Sequence, residues 1–128
     1  PRNWLKAKES FEEQVEQWKL LGDFPGPRII VDSDEMLANP TLAFSKICAA
    51  LELPNIETMF HWEKGPKPYD GPWSPYWYAK VHDSSGFGLP SPLRETLTGR
   101  YLELEQQALP YYEELWQQRL RLNTFLSI

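Results

Sequence analysis

The sequence predicts a mainly α-helical domain with one short β-strand. Three stretches space their apolar residues with helical periodicity, whereas only one run of β-branched residues is bounded as a strand would be. The length of 128 residues suits a single domain, covering residues 1–128, that can bury a core of its own.

The first helix is predicted over residues 3–21, where apolar side chains recur at three-, four- or seven-residue spacing. The apolar stripe of this helix consists of Trp4, Phe11, Val15, Trp18 and Leu21. Gly22 follows the stripe and fits a helix stop, because glycine adopts the left-handed conformation that ends many helices.

The β-strand is predicted at residues 28–32, a short β-branched run with the sequence Arg-Ile-Ile-Val-Asp. It follows a turn segment rich in proline and glycine at residues 23–27. One strand cannot form a sheet. It must therefore pair with weaker local segments, with a second copy of the chain or with sequence outside these residues.

The second long helix is predicted over residues 40–53. Asn39 suits its N-cap and Pro40 its first helical position, and Pro54 ends it. Its apolar face consists of Leu42, Phe44, Ile47, Cys48 and Leu51. A short capped turn of helix at residues 33–37 links the strand to this helix.

Residues 54–92 hold seven of the 12 prolines and no clear periodicity, which predicts an ordered but irregular segment. Its rings are Phe60, Trp62, Tyr69, Trp73, Tyr76, Trp77, Tyr78 and Phe87. Packing of the rings at residues 73–78 into the core is favoured over an exposed stacking surface, because core packing is the commoner use. Helices are predicted over residues 93–121, with Pro110 breaking or restarting them.

The formal net charge of −5 argues against a nucleic-acid partner, since phosphate contacts favour a basic face. No apolar run approaches the roughly 20 residues of a membrane span, so no membrane partner is expected. The one cysteine, Cys48, cannot form an internal disulfide, and a reducing cytoplasm is the expected location. Its place on an apolar helix face predicts a buried, unreactive thiol.

No metal site is predicted, because the spacing of Cys48, His61 and His82 does not match that of zinc ligands. Both histidines are predicted as surface or hydrogen-bonded loop residues. None of the seven glycines lies in a phosphate-loop motif, and the turn after the strand is acidic, which would repel a nucleotide phosphate. The segment at residues 82–87 places Ser84 and Ser85 beside Gly86. This is either an ordinary turn or a nest of donors for an anion.

Two stretches of the sequence resemble the sulfotransferase family. The first, from Ile30 to Pro40, is similar to the strand, acidic turn and helix start of those enzymes, and its helix leads to Ala50-Leu51-Glu52-Leu53-Pro54. The sulfotransferases have a glycine where this chain has Glu52. The second stretch resembles a bacterial-type branch of the family at His61–Pro68, Asp70-Gly71, Trp73, Pro75, Trp77-Tyr78, His82, Ser84, Gly86-Phe87, Leu109–Leu115 and Arg119-Leu120. The likeness covers about residues 28–121.

The resemblance implies the C-terminal fragment of an α/β P-loop-like fold that transfers a sulfuryl group from 3′-phosphoadenosine 5′-phosphosulfate to a hydroxyl or amine. The donor site of the family has an N-terminal phosphosulfate loop, a middle Arg/Ser pair and a C-terminal loop at the 3′-phosphate. This sequence lacks the first part. It offers Arg2 and Ser10 for the second part, and Ser84, Ser85 and Gly86 for the third.

Sulfuryl transfer needs donors clustered around the phosphosulfate, so no catalytic residue is assigned and the chain is expected to be inactive alone. It is expected to contribute a lid and 3′-phosphate contacts to a site completed by a missing N-terminal half or by a second copy in a homodimer. The alternative is a stand-alone binding or dimerisation module that uses the aromatic, proline-rich surface.

Overall fold

The computed structural model describes residues 6–55, 57–90 and 95–122. Its α-helices are α1 (Ala7–Leu20), α2 (Ser33–Ala38), α3 (Pro40–Ala50), α4 (Ser74–Trp77), α5 (Ala79–His82) and α6 (Gly99–Gln117). Short 3-10 turns lie at Leu21–Asp23 and Glu57–Phe60. The chain is mainly helical, which confirms the predicted fold class.

The packing of α1 against α6 forms the centre of the molecule. Val15 of α1 and Ala108 and Leu115 of α6 are buried, as the apolar stripe of the first helix requires. Phe11 and Tyr112 meet edge to face between the same two helices, with ring centroids 5.6 Å apart. Burial of such side chains contributes about 1.5–3 kcal/mol each, so this contact dominates the stability of the chain.

The C-terminal helix differs from the prediction of broken helices over residues 93–121. Residues 95–98 are not helical, and α6 then runs without interruption through Pro110. Proline removes one backbone donor from a helix interior. Buried side chains on both sides of it, Ala108 and Leu115, hold the helix against α1, and this packing outweighs the local defect.

The predicted strand at residues 28–32 needs a correction. The segment is not part of a β-ladder, and among the described residues the one β-bridge joins His61 to Gly86. Its neighbour is the end of α6, where the Leu120 N–H donates to the Ile30 carbonyl at 2.8 Å. No weaker local segment pairs with it in the described part of the chain. The surrounding elements are helices, whose backbone N–H and C=O groups are already hydrogen-bonded within each helix.

The acidic turn after this segment is tied to α6 by side-chain hydrogen bonds. Asp32 caps α2 by accepting the Glu35 N–H at 3.0 Å, and its second oxygen accepts the Tyr112 hydroxyl at 2.8 Å. Arg119 donates two hydrogen bonds to the Glu35 carboxylate, at 2.9 and 3.0 Å. These acidic groups, which follow the extended segment in the sequence, therefore fix α2 against α6.

The start of α3 is as predicted. Asn39 Oδ1 accepts the Leu42 N–H at 3.2 Å, and Pro40 is the first helical residue. The helix ends at Ala50 rather than at residue 53, because the chain turns into a left-handed conformation at Glu52, with φ 57°. Cys48 is buried on its apolar face, as predicted.

Candidate functional site

Residues 57–88 form an irregular unit, here called the aromatic loop, that rests on α3. Phe44 of α3 contacts Phe60 edge to face, with centroids 5.5 Å apart, and Phe87 at 5.3 Å. Trp62 meets Phe87 edge to face at 5.3 Å. The two ends of the loop therefore share one aromatic base, which brings residues near 61 and residues near 85 side by side.

Trp62 joins the two ends of the aromatic loop through two hydrogen bonds. Its backbone N–H donates to the Ser85 carbonyl at 3.1 Å, and its indole Nε1 donates to Ser84 Oγ at 2.9 Å. Ser84 Oγ in turn donates to the Val81 carbonyl at 2.6 Å. The Ser84 hydroxyl is thus both donor and acceptor within the loop, and its role is to hold the turn in shape.

Gly86 lies where two backbones approach closely. It forms the bridge with His61, and a Cβ built on it would come within 3.2 Å of the Phe60 carbonyl oxygen. A larger residue would push the two backbone segments apart by a few tenths of an ångström. The glycine predicted for anion binding therefore has a packing role in the loop.

Asp70 and His82 form the hydrogen-bonded pair that closes the middle of the aromatic loop. Asp70 Oδ2 accepts the Lys67 backbone N–H at 2.7 Å and lies 2.9 Å from His82 Nε2. The Lys67 N–H bond is the main cause that lowers the pKa of Asp70. Desolvation opposes it, and the hydrogen bond and charge of His82 add to the lowering. The carboxylate form of Asp70 is therefore the one that the loop stabilises.

The Lys67 side chain donates hydrogen bonds to backbone carbonyl oxygens within the same loop. Its ammonium group donates to the carbonyl of Glu63 and, at 3.1 Å, to that of Gly65. The Gly65 N–H donates to the His82 carbonyl at 2.7 Å. Together with the Asp70 pair, these contacts join residues 63–70 to one another and to His82 at the start of the turn at residues 82–86.

The residues predicted for the 3′-phosphate contact lie together in one turn. Ser84 is occupied by Trp62, as described above, whereas Ser85 is exposed and its hydroxyl makes no hydrogen bond to any described residue. The adjacent Asp83 is exposed as well. Ser85 is therefore the exposed hydroxyl of this turn that no described residue engages.

The residues predicted for the middle donor contact are not joined to that turn. Ser10 is exposed on α1, where its carbonyl accepts the Gln14 side chain at 3.3 Å. No hydrogen bond between described residues connects it to the aromatic loop. Arg2 lies outside the described residues.

The rings at residues 73–78, predicted to pack into the core, are instead exposed, with Tyr78 the least exposed at 40%. The exposed fraction is between 63% and 82% for Tyr69, Trp73, Tyr76 and Trp77, which we call the exposed aromatic patch. Trp73 stacks on Trp77, with centroids 5.9 Å apart and ring planes 19° from parallel. The preference for core packing is therefore wrong here, because α4 is a single turn and presents its rings outward. Ser74 is the buried residue of that turn.

Sequence reasoning missed the Asp70–His82 pair and the part of Lys67 in it. His82 is predicted as a surface or hydrogen-bonded loop residue; it is hydrogen-bonded, and it is the last residue of the single turn α5. The available signal was the proline- and glycine-bounded Lys67–Asp70 turn, in which an aspartate side chain accepts a nearby backbone N–H.

The described residues contain no group of three His, Cys, Asp or Glu side chains that could hold a metal ion. In the same part of the chain, no helix has the length and apolarity needed to cross a membrane.

The model of the sulfotransferase domain matches residues 7–119 of this chain. The chain belongs to the sulfotransferase domain family. This match spans both the α1–α6 packing and the aromatic loop, so the family assignment covers the elements described above.

Two curated plant relatives of this sulfotransferase domain come from Arabidopsis thaliana. They are the branched-chain-amino-acid aminotransferase-like proteins 2 and 1, which are 38% and 36% identical over 89 residues. The alignment covers 70% of this chain and 16% of each relative, so the chain spans about one sixth of their length. No solved structure matches the chain.

Proposed function

We propose that this chain is the C-terminal part of a sulfotransferase and that its aromatic loop contacts the 3′-phosphate of 3′-phosphoadenosine 5′-phosphosulfate. The family assignment supports the reaction class. The observation that carries the proposal is the turn at residues 82–86. There Trp62 fixes Ser84, while the neighbouring Ser85 hydroxyl has no partner among the described residues.

The physical argument for an anion at this turn is preorganisation. Because Trp62 already fixes the backbone of the turn, the Ser85 hydroxyl can bind a phosphate oxygen without the cost of ordering the turn first. Lys64 and Lys80 are exposed in the same loop and add positive charge, whereas Asp83 opposes them. The expected affinity is therefore modest, and removal of the Asp83 charge should raise it.

The exposed aromatic patch serves in this proposal as the lid of the site. Two of its rings, Tyr76 and Trp77, belong to α4, which Tyr78 alone separates from α5, and α5 leads into the turn at residues 82–86. Exposed aromatic rings of this size are uncommon on a surface that contacts water alone, and they mark surfaces that become covered. A bound nucleotide or acceptor would supply that cover.

Catalysis in this proposal requires a phosphosulfate loop that is not among these 128 residues. The sequence contains no glycine-rich phosphate motif, and sulfuryl transfer needs donors clustered around the phosphosulfate. The chain therefore contributes to the donor site and does not transfer the sulfuryl group alone.

Calorimetric titration with 3′-phosphoadenosine 5′-phosphate tests the proposal directly. We expect saturable binding that weakens at least roughly fivefold in Ser85→Ala, the loss of one hydrogen bond to a charged group. Ser45→Ala, an exposed serine on α3, is the matched control and should leave binding unchanged. Absence of binding, or equal binding by both variants, would show that this turn is not a nucleotide contact.

The second candidate function is a binding module that uses the exposed aromatic patch without any donor nucleotide. The exposure of the four rings of this patch, two of which stack on each other, favours it specifically. A double substitution of Trp73 and Trp77 by alanine distinguishes the two functions. It should leave nucleotide affinity within about twofold if the patch is an independent module, and weaken it clearly if the patch is the lid of the donor site.

A further inference from the structure

We infer that His61 is a further contact of the anion at the turn of residues 82–86, and that protonation of its imidazole strengthens nucleotide binding in mildly acidic solution. This role rests on the proposed function, because it adds one residue to the same site. It is carried by the position of the imidazole, which borders Gly86 of that turn and has no partner of its own among the described residues.

His61 and Gly86 face each other across an antiparallel bridge. The neighbouring hydrogen bond, from the Trp62 N–H to the Ser85 carbonyl, makes this a non-hydrogen-bonded pair, the kind in which facing side chains come closest. A Cβ built on Gly86 would lie 3.6 Å from His61 Nδ1. Because Gly86 has no side chain, the Nδ1 edge of the imidazole faces the backbone of the turn itself.

The two histidines of the chain differ in what they already bind. The His61 imidazole is exposed and makes no hydrogen bond or ion pair with a described residue. His82 is engaged, since its Nε2 lies 2.9 Å from Asp70 Oδ2. His61 is therefore the histidine that can gain a ligand without losing a partner in the loop.

Next to the imidazole, the turn presents donors that suit a phosphate. The Ser85 hydroxyl and the N–H groups of Ser85 and Gly86 make no hydrogen bond to a described residue. Successive free N–H groups in a turn bind anions, but each of these donors is neutral. A hydrogen bond from a charged donor is about twice as strong as one from a neutral donor, and protonated His61 would be that charged donor.

The charges around His61 leave a place for one more cation. The titratable side chains of the surrounding segments are Glu57, Glu63 and Lys64 on its own segment, His82 and Asp83 on the turn, and Lys46 on α3. None of them forms an ion pair with His61. Three carboxylates thus stand against two ammonium groups, which gives a phosphate no net attraction while both histidines are neutral. Protonation of His61 supplies a positive charge beside the turn.

The sign of the pH dependence follows from this charge. Histidine side chains change their charge between about pH 8 and pH 5, and a ligand that prefers the protonated form binds more tightly as the pH falls through that range. Phosphate monoesters take up a proton only near about pH 6. Between about pH 8 and pH 6.5 the nucleotide therefore keeps nearly all of its charge, and a change in affinity belongs to the protein.

Calorimetric titration of the 128-residue chain with 3′-phosphoadenosine 5′-phosphate, at about pH 6.5 and about pH 8, tests this role. We expect binding about threefold tighter at the lower pH, as suits one exposed charge pair. His61→Gln, neutral throughout, should bind as weakly at both pH values as the natural chain does at about pH 8. His61→Lys, charged throughout, should bind tightly at both.

Glu57→Gln is the matched control, because it changes one exposed charge on the same segment and should keep the difference between the two pH values. Absence of binding at both pH values would overturn the proposed function and the His61 contact together. Binding of equal strength at both, or a difference that persists in His61→Gln, would overturn the His61 contact alone.

Nuclear magnetic resonance of the imidazole Cε1–H groups gives a second readout in the natural chain, which has two such signals from its two histidines. Saturating nucleotide at about pH 6.5 should shift the His61 signal more than that of His82, since the Nε2 of His82 stays on Asp70. A His61 signal that does not move while the nucleotide binds would also exclude the contact.

Discussion

The helical core formed by α1 and α6 and the aromatic loop are stabilised by different kinds of contact. In the core, apolar side chains such as Val15 and Leu115 are buried between helices. In the aromatic loop, hydrogen bonds donated by Trp62 and Lys67 and accepted by Asp70 close an irregular backbone that rests on α3 through ring contacts and exposes Trp73 and Trp77. The α1–α6 contact thus depends mainly on buried apolar area, whereas the shape of the aromatic loop depends also on single donors and acceptors.

Because of this difference, substitutions in the core should change the stability of the whole domain, whereas substitutions in the aromatic loop should change only the loop. Apolar burial is proportional to area and does not depend on pH, so a change in the core lowers the stability of the whole domain. A hydrogen-bonded loop loses its shape when one donor or one charge is removed, while the core stays folded. The three predictions that follow are ordered by the size of the expected effect.

Leu115→Ala should have the largest effect, because it removes a buried side chain from the α1–α6 contact. We expect a loss of about 2–5 kcal/mol in the free energy of unfolding. Urea-induced unfolding followed by far-UV circular dichroism measures it. Leu109→Ala, at a 44% exposed position of the same helix, should cost well under 1 kcal/mol. Equal losses in both variants would mean that the α1–α6 contact is not the main source of stability.

Glu52→Gly tests the end of α3, where the chain leads into the aromatic loop. The N–H groups of Glu52 and Leu53 close the end of α3 on the carbonyls of Ala49 and Cys48, at 3.3 and 2.8 Å, with Glu52 left-handed at φ 57°. Glycine adopts this conformation without the steric penalty of a side chain. We therefore expect a gain of about 0.5–1 kcal/mol in the same unfolding measurement.

The control for that prediction is Glu52→Ala, which removes the same carboxylate but keeps a Cβ in the left-handed region. It should leave stability nearly unchanged. A gain of similar size in the alanine variant would assign the effect to charge, and would contradict the conformational explanation.

Asp70→Asn should have the smallest effect, confined to the aromatic loop. The pKa of Asp70 is lowered in the folded chain, mainly by the Lys67 N–H, so the stability it contributes is present above its ordinary value of 3.8. That contribution is lost as the pH falls through the lowered pKa. Protection of the Gly65 amide, which is bonded to the His82 carbonyl, should therefore drop in acid in the natural chain.

In Asp70→Asn, the Gly65 protection should be lower at neutral pH and should lack this acid transition. Asp83→Asn, an exposed aspartate of the same loop, serves as the control and should keep the transition. If Asp83→Asn abolished the transition and Asp70→Asn retained it, the assignment of the titrating group would be wrong.

The elements that the sequence predicted well are those in which neighbouring residues decide the structure. The Asn39 cap and Pro40 fix the start of α3 through contacts within one turn, and the stripe on α1 is a property of consecutive residues. The predicted turn at residues 84–86 also lies where expected, although the partner of Ser84 is Trp62, 22 positions away. The role of Ser84 was not predictable, because no local pattern indicates so distant a donor.

By itself, the sequence determined that this chain is mainly helical and resembles the sulfotransferases, because periodicity and motif order are written in consecutive residues. Only the tertiary structure decided three further features. It kept α6 intact through Pro110, left Ile29 and Val31 without a ladder partner among the described residues, and exposed the rings of α4. Each depends on which surfaces meet, and burial against a distant neighbour overrides the local preference of a residue.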